Sequence, residues 1–88
     1  MSEVPTTTST QYSVSLTVRL ENRPGILGRL TTAIGEAGGN IFAIENMVAR
    51  GPFLERSIVV NCAGVDHQGQ IIAVVDALDG IELSLIHI

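Results

Sequence analysis

The sequence predicts an α+β domain with six elements in the order strand, helix, strand, strand, helix, strand. Three observations predict it. A stretch near the start alternates apolar and polar residues, two later stretches carry apolar residues at helical spacing, and breaks rich in glycine and proline separate the elements.

The first half of the chain predicts a strand, a helix and a second strand. Residues 1–11 are rich in Thr and Ser, which predicts a flexible N-terminal arm before a domain over 12–88. Alternation over 12–20 predicts a strand with one buried face. Asn22 is expected to cap the helix that follows, with Pro24 in its first turn and Gly38-Gly39 at its end. Gly28 and Gly35 lie inside that helix, seven residues apart and so on one face, which predicts that something approaches that face closely.

The second half predicts a hairpin, a helix and a last strand. Residues 40–48 and 53–62 read as two strands joined by a turn over 49–52. Asp66 is expected to cap the second helix and Gly80 to follow its end, before a strand over 81–88. This order predicts the ferredoxin-like fold, a four-stranded antiparallel sheet with two helices on one face. Right-handed crossovers then leave the second and fourth strands at the edges.

Composition excludes several classes of function. Of 88 residues, 45% are hydrophobic, no lysine occurs, and the net charge is −4, which argues against a nucleic-acid partner. No apolar run is long enough to cross a membrane. The single cysteine, Cys62, rules out an internal disulfide and indicates a reducing compartment, the cytoplasm. So apolar a small domain is expected to expose a surface that binds a partner.

Residues for catalysis or metal binding are scarce. His67 is expected to be exposed in the first turn of the second helix, His87 lies near the end of the chain, and Cys62 is expected to be a small packing residue. No acid–base pair or activated nucleophile accompanies them. We therefore predict a non-catalytic domain with no catalytic residue, no metal site and no cofactor.

The loop after the first strand offers the most chemistry. Unpaired N–H groups at a helix start bind carboxylates, and the side-chain amide of Asn22 would lie beside them. Asn40 opens the second strand. Each residue also has a structural interpretation: Asn22 as a plain helix cap, Asn40 as a turn residue and Arg23 as a solvated charge.

Two segments carry a resemblance to a known family. Asn22-Arg23-Pro24-Gly25-Ile26-Leu27-Gly28 and Ala37-Gly38-Gly39-Asn40-Ile41 resemble the ACT domain, and the resemblance covers 12–88. It implies a regulatory module that binds an amino acid or another small effector and controls an enzyme domain in the same polypeptide. It also implies a homodimer through the second-strand edge, with the effector between the first loop of one subunit and the second strand of its neighbour. The ligand-binding residues implied are Asn22, Arg23, Pro24, Gly25, Ile26, Leu27, Asn40 and Ile41.

Finer likenesses suggest a host enzyme. In the serine-binding ACT domain of phosphoglycerate dehydrogenase, three side chains hold the effector, and two of them correspond to Asn22 and Asn40; the third, a histidine, corresponds to Leu20 here. The motif and the segment 74–81 are most similar to the N-terminal ACT domain of bacterial malic enzymes, and the short arm at Met1 agrees with a domain at the start of a longer protein. The alternatives are a dimerisation module without ligand, or a regulatory domain of another enzyme of amino-acid metabolism such as phosphoglycerate dehydrogenase.

Overall fold

The computed structural model describes residues 12–88, except for the side chains of Asn46 and Met47. The elements in chain order are β1 (Val14–Glu21), α1 (Ile26–Glu36), β2 (Asn40–Arg50), β3 (Phe53–Asn61), α2 (Val65–Asp76) and β4 (Ile81–His87). The predicted α+β class, with an antiparallel sheet and two helices, is confirmed. The predicted arm over 1–11 lies outside the described residues.

The sheet has the order β2-β3-β1-β4, and every neighbouring pair is antiparallel. The central strands are β1 and β3, so β2 and β4 are the edges, as predicted. Along β1 the register runs from Val14 opposite Val60 to Glu21 opposite Phe53. This register fixes which loops lie at which end of the sheet.

The core lies between the sheet and the two helices. The alternation predicted for β1 is confirmed, since every second residue from Val14 to Leu20 is buried and faces the helices. Full burial of one such aliphatic side chain contributes about 1.5–3 kcal/mol. Their partners from the other elements are Ile26, Leu30 and Ile34 of α1, Ile58 and Val60 of β3, Ile71 and Val75 of α2, and Ile81 of β4.

Both predicted helix caps are wrong. Helix α1 begins at Ile26 with Gly25 as its N-cap, so Asn22 caps nothing and Pro24 lies in the preceding turn. Asn22 lies three residues before Gly25, and its N–H donates to the carbonyl of Pro52, 3.0 Å away, so Asn22 is held beside the β2–β3 turn rather than at the helix start. Helix α2 has Gly64 as its N-cap, and Asp66 lies within the first turn.

The predictions for glycine have mixed outcomes. Gly38 ends α1 in the left-handed region, with φ 84°, as predicted. Among the described residues, and apart from the nearby backbone of α1 itself, no atom lies within 4 Å of where a Cβ of Gly28 or Gly35 would be, so the predicted close approach is not made within one copy. Gly39 is the tightly packed one, because its Cβ would lie 2.7–2.9 Å from side chains of Ile34, Ile71 and Val60. Gly80 does not end α2; that helix has Ala77 as its C-cap, and Gly80 immediately precedes β4.

Neither helix of the described chain combines the length and the apolar character needed to span a membrane.

Candidate functional site

The loop between β1 and α1, residues 22–25, is anchored by backbone hydrogen bonds where the chain leaves β1. Glu21 donates its N–H to the carbonyl of Gly80, and Asn22 donates its own to Pro52, each at 3.0 Å. Arg23 donates to the carbonyl of Glu21 at 2.9 Å. The loop is therefore held between the β2–β3 turn on one side and the start of β4 on the other.

The side chain of Arg23 forms an ion pair with Glu21, the last residue of β1. Its Nε lies 3.1 Å from Oε1 of Glu21, and both side chains are about half exposed. Its Nη2 lies only 2.6 Å from where a Cβ of Gly80 would be. A glycine at position 80 thus leaves the space in which the Arg23–Glu21 pair lies.

The other loop residues offer one exposed amide and several backbone donors. Asn22, Pro24 and Gly25 are exposed, whereas Ile26 is 4% exposed and faces the core. Leu27 is half-buried and packs against the same core. The hydrogen bonds of the described residues give the N–H groups of Leu27 and Gly28 no acceptor, as expected in the first turn of a helix. The chemistry available here is thus the Asn22 side chain plus backbone N–H groups, which suits a carboxylate.

Asn40 begins β2 and is exposed, while Ile41 is half-buried against the core. The turn before Asn40 is held by hydrogen bonds from Gly38 to the carbonyl of Gly35 and from Gly39 to that of Ile34, at 3.0 and 2.9 Å. The close packing of Gly39 fixes the direction in which the chain enters β2.

Within one copy, the two asparagines lie at opposite ends of the sheet. Asn22 follows Glu21, which is opposite Phe53 at the start of β3. Asn40 is opposite Asn61 at the end of β3. At about 3.3 Å per residue, the eight residue steps along β3 separate these ends by about 26 Å. A single copy therefore does not bring the sequence-predicted site residues together.

The edge strand β2 exposes large apolar side chains. Phe42 is 69% exposed, Val48 42% and Ile44 36%. The pairing of β2 with β3 shifts register twice, once around Phe42 and again between Glu45 and Val48. An apolar edge strand is a surface that proteins normally cover or pair.

Cys62 and His67 take part in packing and in a loop contact. Cys62 is 3% exposed, and burial raises the pKa of its thiol, which confirms the packing role. His67 is half-buried rather than exposed: its Nδ1 accepts the N–H of Ala63, and its Nε2 lies 2.8 Å from the carbonyl oxygen of Ala37. Among residues 12–88, no group of three or more His, Cys, Asp or Glu is arranged to hold a metal ion.

These features define a class: a small α+β module with an exposed loop amide and an edge strand that exposes large apolar side chains. Residues 14–80 match the model of the ACT domain, and the chain belongs to the ACT domain family. ACT domains are regulatory modules that bind small ligands and are generally non-catalytic. None of the curated proteins compared with the chain matches it.

Three residues make contacts that the sequence does not predict: Gly39, His67 and Gly80. Nothing in the local pattern shows that Gly39 packs against the core or that Gly80 lies under Arg23, since both contacts are long-range. His67 did leave a signal, because it is the third residue of α2, where side chains often bond back to the N–H groups before a helix.

Proposed function

We propose that this ACT domain binds a small effector, an amino acid, at an interface between two copies, and regulates an enzyme domain in the same polypeptide. The observation that carries the proposal is the separation of Asn22 from Asn40. The two residues whose types fit an amino-acid site lie about 26 Å apart in one copy, so a shared site needs a second copy.

Antiparallel pairing of two β2 edges supplies that geometry. A two-fold axis near the middle of β2 brings the Asn40 end of one copy beside the Arg50 end of the other. Arg50 leads through the β2–β3 turn to Pro52, which accepts the N–H of Asn22. The second copy's β2 then lies three strand spacings, about 14 Å, from β1, the strand that the loop 22–25 follows.

Burial supports the same pairing. Phe42, Ile44 and Val48 are exposed on the edge that would be covered, and an 88-residue chain has little core of its own. Pairing two antiparallel β2 strands satisfies their outward N–H and C=O groups and continues the sheet across both copies.

The chemistry of the site suits an effector with a carboxylate and an amino group. The free N–H groups at the start of α1 would hold the carboxylate, and the side-chain amides of Asn22 and Asn40 can donate to one group and accept from another. Leu20, at the position of the third ligand in the serine-binding relative, is 1% exposed and faces the core. We therefore do not expect serine itself to be the effector.

For the host we propose a malic enzyme in the cytoplasm, with the domain at its N-terminal end. The support is the likeness of the motif and of residues 74–81 to that subgroup. A second candidate, a dimerisation module without ligand, is favoured by the burial of Leu20, which leaves the loop with one polar side chain free to contact an effector.

Calorimetric titration of the 88-residue chain with each of the common amino acids tests the proposal. We expect saturable binding of at least one of them, lost or weakened at least tenfold in Asn22→Ala and in Asn40→Ala. Gln70→Ala, on the exposed face of α2, is the control and should bind normally. Sedimentation of the same samples separates the two candidates, because a stable dimer that binds none of the panel favours the module without ligand.

A further inference from the structure

His67 joins the end of α1 to the start of α2. Nδ1 accepts the N–H of Ala63 at 2.8 Å, and Nε2 lies 2.8 Å from the carbonyl oxygen of Ala37. Because an N–H can only donate, Nδ1 carries no proton, and the proton of the neutral ring is on Nε2, where it is donated to Ala37. One side chain thus satisfies a donor and an acceptor that are 26 residues apart in the sequence.

Both contacts matter locally. Ala37 is the C-cap of α1, whose last carbonyls have no partner within the helix. Ala63 directly precedes Gly64, the N-cap of α2, which has no side chain to offer. Ala37 is also three residues before Asn40, and a Cβ at the intervening Gly38 would lie 3.3 Å from Nε2 of His67.

A second proton on the ring changes only one of the two contacts. With Nδ1 protonated, two N–H donors face each other and the bond to Ala63 is lost, while the bond from Nε2 to Ala37 persists. The positive ring is favoured at the C-terminal end of α1 and opposed at the N-terminal end of α2. The other ionisable groups nearest along the chain are Asp66 on α2, Glu36 on α1 and Cys62 directly after β3. Among the described residues, none of them forms a hydrogen bond or ion pair with the ring.

We propose that His67 is a positioning residue that fixes the Asn40 end of β2 through Ala37, and that a second proton on its ring releases the start of α2. The role of Asn40 in an effector site rests on the proposed function; the contact itself does not. The contact with Ala37 thus holds the Asn40 end of β2 in both protonation states of the ring, whereas the contact with Ala63 requires Nδ1 to be unprotonated.

Two variants separate the two contacts. In His67→Asn the side-chain oxygen falls near the position of Nδ1, so it keeps an acceptor for Ala63 that does not titrate and loses the contact with Ala37. In His67→Gln the amide nitrogen falls near the position of Nε2, so it keeps the contact with Ala37 and loses the acceptor. His87→Gln is the matched control, since His87 is exposed on β4.

Two-dimensional NMR of the 88-residue chain tests the proposal in a pH series in which the ring signals of His67 report its protonation directly. The amide of Ala63 should follow the same titration curve as the ring of His67, and this response should vanish in His67→Asn. Hydrogen exchange of the Gly39 and Asn40 amides should be about tenfold faster in His67→Asn, the loss of one hydrogen bond of about 1.4 kcal/mol, and within twofold of the parent in His67→Gln.

Equal acceleration in both variants would mean that His67 merely fills space and would overturn the proposal. So would an Ala63 amide that ignores the titration of the ring. These readouts need neither effector nor dimer. A chain that never dimerises would thus contradict the proposed function, while the amide data alone decide the role of His67.

Discussion

Gly80 lies where the start of β4 meets the loop after β1. Its φ is 81°, a region that side chains other than glycine adopt at a cost of about 1–2 kcal/mol. Its carbonyl accepts the N–H of Glu21, and the guanidinium of Arg23 occupies the space where a Cβ would be. One residue without a side chain therefore supports the backbone and the ion pair of the loop together.

We expect Gly80→Ala to lower the free energy of unfolding by about 1–2 kcal/mol. Most of this loss is backbone strain, because the flexible end of Arg23 can move and its exposed ion pair contributes little. Denaturant titration measures the change. Gly35→Ala is the control: that glycine lies inside α1 with open space around it, so the same substitution should stabilise by about 0.5–1 kcal/mol. Equal effects at both positions would contradict the account of Gly80.

The thiol of Cys62 should be inert in the folded chain. Burial raises its pKa, so less of it is thiolate at neutral pH, and its 3% exposure blocks access. Alkylation at about pH 7.5 should be at least tenfold slower in the native chain than in denaturant. Because the folded state holds this proton more tightly, the thiol's contribution to stability is present at neutral pH and falls as the pH rises past the titration of the unfolded thiol, near 8.5. Cys62→Ala should lack that loss, and native alkylation at the denatured rate would contradict the burial.

Among the elements, the central strand β1 and the edge strand β2 differ in how far the sequence predicts their structure. Strand β1 is covered by helices on one face and has a neighbour on each side, so strict alternation in its sequence predicts its buried face. Strand β2 has one neighbour and two register shifts, and its pairing follows no such pattern. The predicted helix caps are wrong because cap preference does not account for tertiary and loop contacts. The N–H of Asn22 donates to the carbonyl of Pro52, and the N–H of Ala63 donates to Nδ1 of His67.

We expect Phe42→Lys to abolish self-association by placing a charge within the proposed β2 interface. Val65→Lys is the matched control, since Val65 on α2 is 70% exposed, close to the 69% of Phe42. Sedimentation should give a monomer for the first variant and the parent's dimer for the second. Both should keep the parent's far-ultraviolet circular dichroism, because neither side chain is in the core. A Phe42→Lys dimer as tight as the parent's would exclude the β2 edge as the interface.

At the scale of the whole molecule, the sequence predicts the class, the element order and the edges, all of which follow from periodicity and chain direction. It predicts the residue types of the candidate site as well, through the motif around Asn22 and Asn40. It does not predict that these two lie at opposite ends of the sheet, because that depends on the register of β1 and β2 with β3. Within one copy, the assembled sheet thus places these two residues apart, which agrees with the shared site that the resemblance implies and that we propose.

A dimer that buries the β2 edge should also stabilise the fold by mass action. We expect the thermal midpoint of the 88-residue chain to rise by several degrees over a hundredfold increase in concentration, since dimerisation removes folded monomer from the unfolding equilibrium. Calorimetric scans at each concentration measure it. Phe42→Lys should show no such dependence, and a constant midpoint in the parent would mean that the copies do not pair in this range.

We propose that each effector site takes Asn22 from one copy and Asn40 from the other, and mixing two variants tests this sharing. Asn22→Ala and Asn40→Ala should each fail to bind the amino acid that the parent binds. After equal amounts are mixed and re-equilibrated, half of the dimers are mixed, and each mixed dimer has one site with both asparagines intact. Calorimetry should then recover about a quarter of the parent's sites at the parent's affinity. A mixture that binds no better than the separate variants would contradict the shared site.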